Sequence, residues 1–412
     1  MRPTTLFRRM LGVTQMFVER VSLEQEGLIL DVRPSWLKPR CGVCRKKRPC
    51  YDRKPARLWR SLGWGRLKCW LRYAPRRVRC QRCGVRTEEV PWARLGSYFS
   101  RDFEEMVAYL AQVTDKTKVS TLMGISWATV GKILERVVLE RLDRERFDDL
   151  ERIGIDEFGY RKRHRYLTVV VDHDSQTVVW AGEGRSAATL RRFVQALDPE
   201  RREKIRLVTM DMAGGYRKAV EEGLPWATIV FDRFHVQRLA SDAVDEVRRE
   251  QLRQLRGTKQ GRSIFKSRYP LLKNRWNLNR TDRQKLKDIQ RNNAPLYRAY
   301  LLKEALAHAL DYERPKRAER ALKEWLAWAS RSRLRPFVRA ARTVRKHFQG
   351  ILAYVSYRLT NGLVEGINNK VRMVARRAFG FHGAGALIGM IYLCCGGILL
   401  DPPLPTLDWR SP

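Results

Sequence analysis

The sequence predicts a multi-domain α/β protein in which a cysteine-rich module and a helical module precede an α/β domain. Two Cys-x-x-Cys pairs lie near the start of the chain, and a run of amphipathic helices follows them. From Arg152 onward the pattern changes to short apolar runs that are typical of buried strands. A chain of 412 residues is long enough for about two to four such domains.

The charge of the chain indicates a polyanionic partner. The formal net charge is +39, from 83 Lys and Arg against 44 Asp and Glu, and the excess is spread along the whole chain. Basic side chains favour nucleic acid because each neutralised phosphate releases a counterion. A generally basic proteome or association with ribosomes is the alternative. The apolar run at 386–400 is shorter than the roughly 18–20 residues that span a bilayer, so we expect no membrane segment.

The first 95 residues are predicted to hold an N-terminal arm (1–40) and a zinc-binding domain (41–95). The arm contains a strand pair around 18–32. Four thiolates at knuckle spacing suit tetrahedral, structural Zn²⁺, and the predicted ligands are Cys41, Cys44, Cys80 and Cys83. Cys50 and Cys69 have no partner at this spacing and are interpreted as core thiols. Cys394 and Cys395 are interpreted as buried small residues of an apolar helix.

Residues 98–145 are predicted to form a helix-turn-helix DNA-binding domain. A first helix places Phe103, Val107 and Ala111 on one face. Helices at 117–123 and 127–138 then flank a turn at 124–126. The predicted core consists of Val119, Leu122, Ile125, Val130 and Ile133. The side chains predicted to face the DNA major groove are Ser126, Thr129 and Lys132. A helical hairpin in an ordinary core shows the same pattern.

Residues 150–237 are predicted to begin a ribonuclease-H-like catalytic domain. Apolar runs at 153–155, 166–171, 178–181, 205–210 and 227–231 indicate five strands. One helix, at 187–197 with Ser186 as its N-cap, separates the third and fourth strands. Another, near 216–222, separates the fourth and fifth. Three consecutive strands, followed by helix, strand, helix and strand, are the element order of that fold.

An all-helical insertion is predicted at 238–350. The segment is basic, is punctuated by prolines and contains Trp276, Trp325 and Trp328. These tryptophans either pack in a core or stack on a displaced DNA base. The last part of the catalytic domain follows at 351–400, and a proline-rich tail occupies 401–412.

Acidic residues occupy three positions suited to catalytic metal. Asp156 lies in the first apolar run, Asp211 directly follows the fourth, and Glu365 lies on a predicted helix. Carboxylates are hard ligands for Mg²⁺ or Mn²⁺, and two such ions can clamp a phosphodiester. Each acid has an ordinary alternative, as a solvated strand end, a helix cap or a surface charge. Asp232 and His235 follow the fifth strand and are predicted to support catalysis; a structural histidine is the alternative.

The predicted helix that carries Glu365 has two stripes. Leu363, Ile367, Val371 and Val374 form the apolar one. Asn361, Glu365, Asn368 and Arg372 form the polar one. Strand alternation predicts that Glu157 points away from Asp156. The predicted DNA-binding residues in the catalytic half are Arg185, Asn361, Asn368 and Arg372.

The ordered set of motifs resembles the ISL3 family of bacterial insertion-sequence transposases over nearly the whole chain. The cysteine knuckles match that family's N-terminal zinc module. The other matching motifs are Ile153-Gly154-Ile155-Asp156-Glu157-Phe158, Gly182-Glu183-Gly184-Arg185-Ser186, Met210-Asp211-Met212, Phe231-Asp232-Arg233-Phe234-His235-Val236, Thr360-Asn361-Gly362 and Glu365-Gly366-Ile367-Asn368-Asn369.

The resemblance implies a DDE transposase with Asp156, Asp211 and Glu365 as its metal-binding triad. Such an enzyme binds terminal inverted repeats, cleaves at the element ends and transfers 3′-hydroxyl ends to target DNA. It implies Mg²⁺ or Mn²⁺, double-stranded DNA as partner, a dimer or larger assembly on DNA, and a bacterial cytoplasmic, nucleoid-associated location. The alternatives are a catalytically inactive, transposase-derived repressor and a structure-specific nuclease on the same fold.

Overall fold

The computed structural model describes residues 2–161, 165–212, 215–378 and 383–402. The chain forms two compact units. The first contains Met1–Asp143 together with the residues from Val374 onward, and the second contains Arg144–Met373.

The described chain contains both strands and helices, named here in chain order. The strands are β1 (Met16–Glu24), β2 (Gly27–Pro34), β3 (Cys50–Arg53), β4 (Arg57–Trp64), β5 (Leu67–Tyr73), β6 (Arg76–Cys80), β7 (Gly84–Thr87), β8 (Arg152–Arg161), β9 (Arg165–Asp172), β10 (Thr177–Glu183), β11 (Leu207–Met210) and β12 (Thr228–Phe231).

The helices of the N-terminal half and of the α/β domain are α1 (Pro3–Leu11), α2 (Arg101–Val113), α3 (Lys116–Met123), α4 (Trp127–Arg141), α5 (Ala187–Ala196), α6 (Pro199–Lys204) and α7 (Arg217–Gly223). The helices that follow are α8 (Arg233–Gln254), α9 (Lys259–Ile264), α10 (Arg268–Leu272), α11 (Arg280–Asn292), α12 (Ala294–Asp311), α13 (Pro315–Arg331), α14 (Arg335–Lys346), α15 (Phe348–Tyr357), α16 (Gly362–Arg377) and α17 (Ala384–Cys395).

The first unit begins with two small sheets. One has the strand order β1-β2-β5-β4 and the other has the order β3-β6-β7. Val18 pairs with Val32 across antiparallel β1 and β2, so the strand pair predicted there is confirmed. Apolar side chains on the first sheet, including Leu30, Trp59 and Leu71, form a core of their own.

Three helices of the first unit form the helix-turn-helix and its support. Gly124 ends α3 with φ of 57°, a left-handed conformation that glycine adopts without strain. Val119, Val130 and Ile133 are fully buried, as predicted. Leu122, which was predicted to join this core, is 68% exposed because it lies on the outer face of the short helix α3.

The chain's C-terminal segment completes the same helical core. Leu393 and Ile398 pack with Phe103, Val107 and Val130. A side-chain amide adds a polar contact: Nε2 of Gln112 donates to the carbonyl of Leu393 at 2.7 Å. Residues from Val374 onward therefore belong to the first compact unit. Of the predicted tail at 401–412, residues 403–412 lie outside the described residues.

Buried ion pairs fasten the loop after β7 to α2 and α4. The side chain of Arg94 is 4% exposed, and its Nη1 lies 3.1 Å from Oε2 of Glu104, which is fully buried. Arg94 also pairs with Glu105, which is 6% exposed. Buried charges are tolerated only when they are paired. This network therefore fixes how the sheets meet the helices within the first unit.

A five-stranded sheet with the order β10-β9-β8-β11-β12 is the centre of the second unit. β9 pairs antiparallel with both β8 and β10, whereas β11 pairs in parallel with β8 and with β12. The five predicted strands are confirmed. Ser186 caps α5 as predicted, since its Oγ accepts the N–H of Thr189. The short helix α6 was not predicted.

Helices α8 to α15 continue the core of this sheet. Phe231 of β12 belongs to the same buried cluster as Val244 of α8, Leu306 of α12 and Phe337 of α14. Proline stands in the first turn of α12, α13 and α14, where its missing N–H has no helical partner. The helical region and the sheet therefore form one compact unit.

The tryptophans of the helical region differ in environment. Trp325 is 2% exposed, whereas Trp276 is 68% and Trp328 is 39% exposed. None of the described helices has both the length and the apolar character needed to cross a bilayer.

Candidate active site and metal centre

The four knuckle cysteines come together at one end of the three-stranded sheet. Cys80 ends β6, Cys83 lies in the turn before β7, and Cys41 forms a bridge with Glu88. The four Sγ atoms all lie within 4.8 Å of one another, and those of Cys44 and Cys80 are 3.6 Å apart. Four convergent sulfurs fit a closed tetrahedral zinc site. The sequence-predicted ligand set is therefore brought together.

The cysteine environments separate ligands from core thiols. Burial acts against ionisation of Cys80, but backbone N–H groups of Cys83 and Arg82 lower its pKa to about 6. A thiolate is the form that binds metal. Burial raises the pKa of Cys69 to about 11, as expected of an inert core thiol. Cys50 is exposed, so the expectation that it lies in a core was wrong. Cys395 is buried, but Cys394 is only half-buried.

Asp156 and Asp211 lie on neighbouring strands. Gly154 of β8 pairs in parallel with Thr209 of β11. Asp156, within β8, and Asp211, directly after β11, both stand two residues further along, so the register places them close to one another. Burial and the nearby charge of Asp211 both raise the pKa of Asp156. A partly buried pair of like charges is a setting that a metal cation stabilises.

Helix α16 packs directly on this part of the sheet. A Cβ at Gly154 would clash with Cγ2 of Val364, so glycine permits the close approach. Val364, Ile367, Val371 and Val374 form the buried side of the helix, whereas the predicted Leu363 is only half-buried. Glu365 is exposed on α16.

The side chain of Asn368 joins α16 to Asp156. Its Nδ2 donates to Oδ2 of Asp156 at 2.6 Å, while Oδ1 of Asp156 accepts the N–H of Glu157 at 2.8 Å. Asn368 is 1% exposed, and its buried Oδ1 has no hydrogen-bond partner among the described residues. Sequence reasoning missed this contact. The sequence feature that could have indicated it is the spacing of three residues between Glu365 and Asn368, which places both on one helix face.

His235 lies between two acids. Its Nε2 is 3.6 Å from Oδ2 of Asp211, and its Nδ1 is 3.4 Å from Oδ2 of Asp232. The carboxylate of Asp232 raises the pKa of His235, and so does the charge of Asp211. Oδ1 of Asp232 also accepts the backbone N–H of Asn361 at 3.4 Å. The structure therefore brings both predicted supporting residues to the acid pair.

Glu157 is a further acid beside the pair. It is opposite Thr168 in the antiparallel register, and Thr168 contacts the hydroxyl of Tyr216 at 2.9 Å. Burial raises the pKa of Glu157, as do the charges of Asp156 and Asp211. The charges of Asp156 and Asp211 therefore act on Glu157, although the side chains of Asp156 and Glu157 alternate along β8.

The acids offer oxygen donors of the kind that Mg²⁺ and Mn²⁺ prefer. Among the described residues, the cysteine cluster is the one group of three or more His, Cys, Asp or Glu ligand atoms that lie within 4.8 Å of one another. Asp156, Asp211 and Glu365 are therefore more widely spaced than a single shared ion requires. The partly buried, mutually repelling carboxylates of Asp156 and Asp211 nevertheless fit a divalent cation.

The predicted DNA-binding residues fall into exposed and buried groups. Ser126 and Lys132 are exposed and Thr129 is half-buried, and the Oγ of Ser126 caps α4 by accepting the N–H of Thr129. Arg185 is exposed, with its guanidinium 4.1 Å from the ring centre of Tyr166. Arg372 is exposed as well. Asn361 is 4% and Asn368 is 1% exposed, so neither side chain lies on an open surface.

Comparison with known proteins gives matches along almost the entire chain. Residues 153–391 match a family model described as an ISL3-type DDE transposase, and residues 88–138 match the helix-turn-helix domain of transposase family ISL3. A transposase for insertion sequence element IS1557 from Mycobacterium tuberculosis is 38% identical over 96% of both chains. A transposase for insertion sequence element IS1001 from Bordetella parapertussis is 33% identical over 89% of this chain and 91% of its own.

Proposed function

Because this chain belongs to the ISL3 family of transposases, we propose that it binds the terminal inverted repeats of an insertion sequence, cleaves at the element ends and joins the 3′-hydroxyl ends to target DNA. Asp156, Asp211 and Glu365 are the proposed metal-binding triad, and Mg²⁺ or Mn²⁺ is the proposed ion. Two such ions, when bound, activate the attacking hydroxyl and stabilise charge on the phosphodiester.

One observation carries this proposal: the parallel register of β8 and β11 brings Asp156 close to Asp211. Helix α16, which carries Glu365, packs against β8 at Gly154. The strand order β10-β9-β8-β11-β12 supports the proposal of a ribonuclease-H-like domain. Helices α8 to α15 then stand in the chain where the proposed insertion separates the last strand from the helix with the glutamate.

The residues around the acids have separate proposed tasks. His235 orients Asp211 and, when protonated, offsets part of the negative charge of the acids. Asp232 orients the imidazole from its other side. Arg185 and Arg372 are exposed cations suited to DNA phosphates.

The first unit supplies the proposed recognition of the element ends. Ser126, Thr129 and Lys132 lie at the start of α4, the part of a recognition helix that reaches base edges. Zn²⁺ on the four cysteines holds the β3-β6-β7 sheet, and a dimer or larger assembly would bring two ends together for joining.

The test uses purified full-length protein, Mg²⁺ and labelled DNA that carries the element's own terminal repeats. Wild type, Asp156→Asn and Glu365→Gln are compared with Glu200→Gln, a control that changes an exposed acid of α6. We expect cleavage at the repeat tips by wild type and by the control, and its loss in both triad variants while end binding persists.

Three other results would overturn the proposal. Cleavage that survives in both triad variants would remove the metal role of these acids. Tight end binding without cleavage by wild type would favour a transposase-derived repressor. Equal cleavage of branched DNA that lacks the repeats would favour a structure-specific nuclease.

A further inference from the structure

Both carboxylate oxygens of Asp156 are already held by the protein. Oδ1 accepts the N–H of Glu157 at 2.8 Å, and Oδ2 accepts Nδ2 of Asn368 at 2.6 Å. The first contact joins adjacent residues of β8, so it does not depend on where α16 lies. The second comes from 212 residues further along the chain. Asn368 therefore decides how the carboxylate is turned relative to α16.

The environment of Asn368 excludes an ordinary surface role. The side chain is 1% exposed, and within the described part of the chain its buried Oδ1 has no hydrogen-bond partner. A buried amide with one unsatisfied atom keeps the desolvation cost of that atom. An apolar residue would avoid that cost and would continue the buried face formed by Val364, Ile367 and Val371. The amide must therefore contribute something that packing does not require.

The orientation of the amide follows from its partner. If the two atoms of the amide were exchanged, its oxygen would face a carboxylate oxygen, and two acceptors would meet at 2.6 Å. The contact with Asp156 thus sets the donor toward the acid and leaves Oδ1 as a spare acceptor. A metal-bound water is a donor of the kind that such an acceptor needs.

A second polar contact ties the beginning of α16 to the other acid. The backbone N–H of Asn361 donates to Asp232 at 3.4 Å, and Asp232 in turn lies 3.4 Å from Nδ1 of His235, whose Nε2 faces Asp211. The helix is therefore connected to both strands that carry the acid pair. Glu365 lies between these two connections, three residues before Asn368 and on the same helix face.

We propose that Asn368 is a positioning residue for Asp156: its amide donor turns the carboxylate toward the metal position and keeps the helix that carries Glu365 in register with β8. This inference rests on the proposed metal-dependent function. The sequence analysis predicted that Asn368 contacts DNA, because it lies on the polar stripe of its helix. The inference instead gives Asn368 a role inside the site.

The test compares Asn368→Leu with Asn369→Leu in the full-length protein bound to its terminal-repeat DNA. Asn369 is the exposed neighbour of Asn368 and contacts Arg372, so it is a matched control. Mn²⁺ is titrated and its binding is followed by electron paramagnetic resonance. Loss of an outer-shell partner typically lowers metal affinity about 10–100-fold. We expect a loss of this size for Asn368→Leu and none for Asn369→Leu.

Cleavage is then measured as a function of Mg²⁺ concentration. A positioning role predicts that Asn368→Leu shifts half-maximal cleavage to higher Mg²⁺ and that added Mg²⁺ restores part of the rate. A purely structural role predicts a lower melting temperature and the same fractional loss at every Mg²⁺ concentration. If Asn368→Leu does not fold, Asn368→Ser, which removes the amide without adding apolar bulk, is titrated in its place.

The outcomes separate this inference from the proposed function. Wild type that neither binds Mn²⁺ nor cleaves DNA contradicts the proposed function itself. Wild type that does both, together with a folded Asn368 variant of unchanged Mn²⁺ affinity, overturns the positioning role alone.

Discussion

Single side chains in this protein are defined by what surrounds them more than by their type. Cys69 and Cys80 are both buried thiols, yet burial raises the pKa of Cys69 to about 11 and backbone donors lower that of Cys80 to about 6. Asn368 and Asn369 are adjacent and chemically identical, but one is 1% exposed against Asp156 and the other is on the surface. Chemistry at this scale therefore depends on contacts made by distant parts of the chain.

Zinc content should depend on Cys80 and not on Cys50. Cys80→Ser removes one of four convergent sulfurs, so we expect loss of the bound zinc and unfolding of the β3-β6-β7 sheet. Cys50→Ser changes an exposed thiol of the same sheet and should keep one zinc ion per chain. Metal analysis of the purified proteins checks this. Stoichiometric zinc in Cys80→Ser would contradict the proposed ligand set.

At the scale of elements, the contact between α16 and β8 organises the candidate site. It needs a strand without a side chain at position 154, since Val364 occupies the space where a Cβ would stand. The same contact buries Asn368 against Asp156. A strand and a helix separated by about two hundred residues thereby become parts of one site.

Gly154→Ala should uncouple these two elements. The added methyl group would clash with Val364 and lie 3.0 Å from Nε2 of His173. Overpacking of this kind costs about 1–3 kcal/mol, so we expect cleavage to fall by roughly tenfold or more while end binding is retained. Gly159→Ala is the control on the same strand, because its Cβ would meet nothing closer than 3.5 Å. Equal cleavage by the two variants would show that the close approach is not needed.

Trp276 and Trp325 should respond differently to truncation. Trp325 is 2% exposed and donates to the carbonyl of Leu302, so Trp325→Ala should lower the free energy of unfolding by about 3–5 kcal/mol. Trp276 is 68% exposed in a basic segment. Trp276→Ala should leave stability within about 0.5 kcal/mol but weaken binding to strand-separated DNA by about 1–3 kcal/mol. Thermal unfolding and a DNA titration check both values, and unchanged DNA binding would contradict the stacking role.

At the scale of the whole molecule, two separate segments of the chain form the first unit. Its N-terminal residues supply the sheets and the helix-turn-helix, and residues from Val374 onward return to the same unit after the second has been completed. Leu393 and Ile398 fill the core beside α2 and α4. The core of the first unit therefore depends on residues that lie more than 200 positions after its helix-turn-helix.

This arrangement predicts that a change near the C-terminus weakens DNA-end binding. Leu393 is 1% exposed in the helix-turn-helix core, so Leu393→Ala should destabilise the first unit by about 2–5 kcal/mol. Leu399 is 89% exposed, and Leu399→Ala should change stability by less than about 0.5 kcal/mol. Denaturation followed by end-binding assays distinguishes them. Equal stability of the two variants would contradict the shared core.

Local patterns account for most of the elements that were predicted. All five strands of the central sheet, the Ser186 cap, the turn at Gly124 and the two cysteine knuckles depend on residues close in sequence. The errors have a common origin. Leu122 and Leu363 fit an apolar periodicity, but neighbouring elements bury only part of a helix face, and Leu122 is 68% exposed. Periodicity identifies a face and does not identify what covers it.

The sequence by itself determined the family, the strands of the central sheet, the four cysteines that converge and the three acids proposed to hold metal, because short motifs and strand or helix periods are local properties. Tertiary structure decided that Asp156 and Asp211 are neighbours, that Asn368 holds Asp156 from within the fold, and that residues from Val374 onward belong with the helix-turn-helix. Each of these depends on contacts between segments distant in the chain. Their formation is governed by burial, close approach and charge pairing, which no single segment of sequence specifies.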